Sequence, residues 1–125
     1  MSAEPLMILV AGPYRSGTED DPSRIAANVG AMNEAALILF RQGQLPVTGE
    51  ALALPLVETA GSKHIGDEPF AEIFHPIAHR LLARCDAVLR IGGASAGADD
   101  MVETARRLGL RVFFQLSEIP APEAQ

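Results

Sequence analysis

Ile91–Val112 reads IGGASAGADDMVETARRLGLRV. A glycine- and serine-rich turn follows one apolar run, a helical period fills the middle, and a second apolar run closes the stretch. That is the pattern of a strand, a ligand loop, a helix and a strand. Strands that alternate with helices imply a parallel sheet joined by right-handed crossovers, so this stretch sets the fold class as α/β.

The rest of the chain repeats the pattern. Leu6–Ala11 (LMILVA) is a continuous apolar run, as suits a strand buried on both faces, and it stops at Gly12-Pro13. A long helix is predicted from Asp21-Pro22-Ser23, with Asp21 as cap, Pro22 in the first turn and Gly43 as the stop. Ile25, Val29, Met32, Ala36, Leu39 and Phe40 give it one apolar face. QLPVT at 44–48 is a short second strand, toward an edge because of Pro46. GEALALPLVETAG at 49–61 is a weak helix interrupted by Pro55, and Pro76 should start or kink the helix that follows. AVLRI at 87–91, a helix over Ala98–Leu108 and LRVFFQL at 110–116 complete the order β-α-β-α-(α)-β-α-β. No repeat or boundary divides the chain, which reads as a single domain over 1–125 with a loose tail from about 117.

At 125 residues, 48% apolar and 21% charged, the chain is long enough to bury a core. A net charge of −6 argues against binding a nucleic-acid backbone. Arg106, Arg107 and Arg111 do cluster, but Asp99, Asp100 and Glu103 stand beside them. The single cysteine, Cys85, has no internal partner and reads as a buried, inert thiol. No apolar run approaches the roughly 20 residues that span a bilayer. The first residues lack a basic segment, so a cytoplasmic protein without membrane contact is expected.

In a parallel open sheet, ligands bind beyond the carboxyl ends of the strands, where the strand order reverses. Three loops meet that condition. In the first, Gly12 lets backbone approach a ligand, Pro13 stiffens the turn, Tyr14 offers a flat face and a hydroxyl, and Arg15 suits a phosphate or carboxylate. In the third, Gly92, Gly93 and Gly97 permit positive φ and leave N–H groups open, while Ser95 adds a hydroxyl. Asp99 and Asp100 complement the helix dipole there and would repel a nearby phosphate, so a ribose hydroxyl is the easier partner. The spacing is neither a Walker loop nor GxGxxG. In the second loop Glu50 follows a strand end. It can serve as general acid or base, nucleophile or ribose ligand, or merely favour the helix dipole. His75 and His79 stand four apart, but no third ligand accompanies them or His64, so neither metal nor cofactor is expected.

Taken together, AGPYR at 11–15, Asn28-Val29, GQLPV at 43–47, RCDAVLRIGG at 84–93 and SAGADDMVETARRLGLRV at 95–112 resemble the nucleoside 2-deoxyribosyltransferase-like superfamily, and more closely its small bacterial branch of uncharacterised domains. The resemblance runs from about Leu6 to Phe114. It implies a flavodoxin- or Rossmann-like three-layer fold with a small, mostly parallel sheet of roughly four or five strands. It also implies a homo-oligomer, dimer or tetramer, and a site for a nucleoside or its monophosphate. In the family a glutamate four residues after the glycine of S-x-G attacks or stabilises the anomeric carbon, as in glycoside hydrolysis. Here that position is Met101, with Ala105 and Gly109 holding the register. Glu103 lies two residues on, about 200° around the helix, and so faces away. A second family acid should fall near Ala78 or His79, and neither is acidic; Asp86 sits at a helix-to-strand turn in a structural role.

Three readings stay open. The protein breaks or transfers an N-glycosidic bond with a substitute carboxylate from Glu50, Asp99 or Asp100. It binds a nucleotide or nucleotide-sugar without cleaving it, Met101 standing where the nucleophile should be. Or it is an assembly domain whose loops bind nothing.

Overall fold

The apolar run that stops at Gly12 forms β1, Met7–Ala11. In a computed structural model, which describes residues 4–120, β1 lies inside the sheet, paired on both edges. The other strands are β2 (Leu45–Val47), β3 (Ala87–Arg90) and β4 (Arg111–Phe113). All pairings are parallel and the order is β2-β1-β3-β4. The chain steps from β1 outward to β2, then crosses back to β3 on the other side of β1. The order therefore reverses between β1 and β3, and beyond Gly12 and Ile91 the chain leaves them for helices on opposite faces of the sheet.

The strand period of two sends alternate residues to opposite faces. Ile8, Val10, Ala87 and Leu89 meet Met32, Ala35 and Leu39 of α1 (Pro22–Arg41). Leu9, Ala11 and Val88 meet Leu82 of α3 (Glu68–Leu82) and Ala98, Met101 and Ala105 of α4 (Ala96–Arg107). This is the three-layer, flavodoxin- or Rossmann-like α/β arrangement with four strands. The fully buried Ile8, Leu9, Leu39, Leu82 and Leu89 each stabilise it by about 1.5–3 kcal/mol. No helix among the described residues is long and apolar enough to cross a membrane.

Several boundaries differ from the sequence reading. Pro55 does not interrupt α2, which runs Gly49–Thr59. Pro76 does not start α3, which begins eight residues earlier behind the cap Asp67 and passes through the proline. Each proline removes one helical N–H, yet both helices keep buried positions to pack: Ala53 and Val57 in α2, Phe70 and Leu82 in α3. Packing overrides the local preference. Asp21 does precede α1, but its carboxylate accepts from the Ser23 hydroxyl at 2.9 Å instead of capping the helix. Phe40, expected on the apolar face, is 66% exposed, because Leu39 takes the core position.

Two polar residues tie the sheet's lower edge. The Asp86 carboxylate accepts from the Met7 N–H at 2.8 Å, a structural role. Buried Gln44 accepts from the Leu6 N–H at 2.7 Å and donates to the Pro120 carbonyl. The start of the expected tail is packed: Leu116–Glu118 form a 3-10 turn and Ile119 is buried. The remainder, 121–125, lies outside the described residues. Cys85 is free and buried, and burial with the Asp86 charge pushes its thiol up to about 11.

Candidate functional site

A cavity of about 220 Å³ opens beyond the carboxyl end of β1, and all three candidate loops reach it. It is small beside the roughly 300–1,000 Å³ of usual small-molecule sites. That suits a small ligand better than a dinucleotide. Its floor is the end of β1 with Gly12. One wall is Gly49 and Glu50 of α2, another is Ser95, Gly97 and Met101 of α4, and Tyr14, Arg15, Phe74 and His75 complete the rim.

The glycines do different work. An added Cβ on Gly12 would stand 3.0 Å from Ile91 Cγ1, so this residue lets the ends of β1 and β3 close up. Gly92 has φ +78, and its Cβ would lie 2.7 Å from Pro13 Cδ, so the first and third loops touch there. Gly93 has open space around it, and neither Gly93 nor Gly97 has positive φ. The last helix begins two residues earlier than its period suggested, because Ser95 caps it. Gly97 is thus helical, and a Cβ there would meet the His75 ring at 3.4 Å, an ordinary contact.

Ser95 is buried and accepts from the Ala98 N–H at 3.1 Å, leaving its hydroxyl proton for a ligand. Ser95→Ala is expected to cost about 1 kcal/mol of stability through the lost cap, read as a lower denaturant midpoint at unchanged slope.

Glu50 is the decisive side chain. It is the one carboxylate among the residues lining the cavity. Its Oε2 is buried without a hydrogen-bond partner. Burial raises its pKa above the ordinary glutamate value, partly opposed by a hydrogen bond from its own N–H. Tyr14 is raised too, first by burial and then by the Glu50 charge, so its phenol stays a proton donor beside that carboxylate. A smaller cleft, between Val29, Met32 and Asn33 of α1 and Thr48 and Leu54, shares Glu50.

The other two candidate acids point elsewhere. Asp99 pairs with Arg90 at 3.1 Å and Asp100 with His79 at 2.8 Å, and neither lines the cavity. Pro13, Gly92 and Gly93 shape the loops from outside the lining. Met101 does line it, buried, in the position where the resemblance places a glutamate. Among the described residues no group of three or more His, Cys, Asp or Glu could hold a metal ion.

Sequence reading passed over the aromatic wall. Tyr14 and Phe74 stand 4.9 Å apart between ring centroids, Phe74 stacks on Phe70 at 4.5 Å, and His75 meets the edge of Phe74 at 5.4 Å. The signal was the helical period of Phe70, Phe74 and Ala78, masked by the weight given to Pro76. Two further supports were not foreseen. The Asn28 amide holds the Tyr14 carbonyl at 3.0 Å, and buried Thr18 bonds the Arg15 carbonyl and the Asp20 N–H.

A scan against protein-family models finds no match to this chain, and a search of curated proteins finds none either.

Proposed function

We propose that the cavity binds a nucleoside or nucleotide and that the protein, of the nucleoside 2-deoxyribosyltransferase-like kind, breaks or transfers its N-glycosidic bond with Glu50 as the working carboxylate. One observation carries this reading: the sole cavity carboxylate has an oxygen that is buried and unpartnered. A charge held away from water and counter-ions is costly in the free protein. A sugar cation forming beside it relieves that cost in the transition state more than in the ground state, which is the condition for catalysis. Tyr14 and Phe74 suit a base on the rim. The Ser95 hydroxyl and the first turn of α4 suit sugar hydroxyls. The base then leaves, and the sugar passes to water or to a second base.

The test is base release from a panel of nucleosides and 5′-monophosphates. Release should survive Asp99→Asn and Asp100→Asn and fail with Glu50→Gln. Release that fails instead with Asp99→Asn would move the chemistry to α4.

A second reading rests on Met101. A thioether is neither a base nor a partner for a sugar cation, and it fills the family's catalytic slot in the wall. Binding without release for every panel member would establish a non-catalytic nucleotide- or nucleotide-sugar-binding module.

The proposal extends to a cytoplasmic homo-oligomer. Leu37, Ile38 and Phe40 of α1 and Leu52 and Leu56 of α2 are large apolar side chains left exposed. Light scattering should give a dimer or larger species that falls to monomer with Phe40→Glu together with Leu56→Glu. A wild-type monomer throughout the micromolar range would end that part.

A further inference from the structure

The cavity is poor in free positive charge, and the way it is made so bears on its ligand. Arg15 is the one arginine or lysine among the lining residues. Its guanidinium is already engaged in a two-pronged pair with Asp20, Nε to Oδ1 at 2.7 Å and Nη2 to Oδ2 at 3.0 Å. The pair is half-exposed, each side chain at 47%, and two features of the chain position it. Gly66, with φ +87, lies against the guanidinium: a Cβ there would stand 2.8 Å from Nη1. Glu19 and Asp20 adopt the left-handed region at φ 52 and 59, uncommon for residues with side chains, and the Thr18 hydroxyl accepts from the Asp20 N–H at 3.1 Å. The loop thus keeps an unusual backbone that sets Asp20 against Arg15.

Arg90, beside the glycine loop, is committed in the same way. It donates to Asp99 and to the carbonyls of Ile91 and Gly93. His79 faces Asp100. Glu50 is left as the one uncompensated acidic side chain of the lining. The first turn of α4 offers polar N–H groups, but Ser95 already caps it and Asp99 already answers its dipole.

Resting on the nucleotide-site reading above, we infer that the ligand is an uncharged nucleoside and not its phosphate ester, with Asp20 the residue that sets this preference by neutralising Arg15. A phosphate dianion entering this cavity would find its nearest cation taken and a carboxylate unshielded. A ribose or deoxyribose hydroxyl meets no such opposition. Asp20 does not line the cavity; it acts through Arg15 and is a specificity residue by position.

The experiment is calorimetric titration of the full chain with the common ribo- and deoxyribonucleosides and the 5′-monophosphate of each, in low salt. The wild type should bind its best nucleoside at least about tenfold more tightly than the matching monophosphate. Asp20→Asn suits the test because asparagine tolerates positive φ, so the loop is kept while the guanidinium loses its counter-charge. It should shift the ratio of the two affinities toward the monophosphate by about tenfold. Arg15→Gln, with Asp20 left unpaired, should shift the ratio the other way. A wild type that prefers the monophosphate, or a ratio unmoved by Asp20→Asn, overturns the inference and leaves the nucleotide site standing. Failure of every nucleoside and monophosphate to bind overturns the site itself.

Discussion

Glu50→Gln is expected to lower base release by about 10²–10⁴-fold, the usual loss when a working carboxylate becomes an amide of the same shape, while raising thermal stability above the folded pKa of that carboxylate. The two effects share one cause. The carboxylate is buried with an unpartnered oxygen, and burial lifts its pKa. A group whose folded pKa is raised above its unfolded value contributes most to stability while protonated. That contribution is lost as pH rises through the folded pKa. Above its folded pKa the wild type therefore carries a buried charge that glutamine removes, and there the midpoint of unfolding should rise by a few degrees. On acidification the gap between wild type and variant should close, beginning above the ordinary glutamate value of about 4.3. The acid limb of kcat/KM in the wild type should sit above that value as well, since catalysis needs the ionised form. Calorimetry at several pH values, set beside the pH–rate profile, checks all three points. A Glu50→Gln protein that keeps its activity, or one that is destabilised above that folded pKa, contradicts the assignment.

The α/β class was legible in the sequence because strand and helix periods alternate strongly, and the parallel order then follows from connection length. Glu50 was legible as a candidate because it follows β2, whose end faces the ligand side in any sheet of this type. Its standing over Asp99 and Asp100 was not. That choice depends on Arg90 and His79, which lie 9 and 21 residues from the acids they engage. Nothing in local spacing reveals those pairs. The same holds for Arg15. The residue type pointed to an anion, but its partner Asp20 is brought round by two left-handed residues, neither of them glycine, that no turn propensity favours strongly. Phe74 was hidden by a different mechanism. Proline in a helical period is a strong local signal against continuation, and only the packing of α2 on α3 overrides it.

Gly92 and Gly93 look alike in sequence, and substitution should separate them sharply. Gly92→Ala places a Cβ on a backbone at φ +78, a conformation that opposes any L side chain, and sets that Cβ 2.7 Å from Pro13 Cδ. The proline ring cannot swing aside as the tip of a lysine would; its Cδ is bonded to the backbone nitrogen, so the first loop must move. Left-handed strain and overpacking together should cost about 2–4 kcal/mol, a fall of roughly 10 °C in Tm for a domain of this size. The damage should reach the ligand as well, since Pro13 carries Gly12 on one side and Tyr14 on the other, and both line the cavity. Gly93→Ala meets nothing within 4 Å and has no positive φ, so its cost should stay within about 0.5 kcal/mol. Paired melts of the two variants, with nucleoside affinity measured on each, decide the matter. Equal tolerance of both would mean that the contact between the two loops contributes nothing to the site. Losses confined to Gly92→Ala, in stability and in affinity together, would show that this glycine holds the mouth of the cavity in shape.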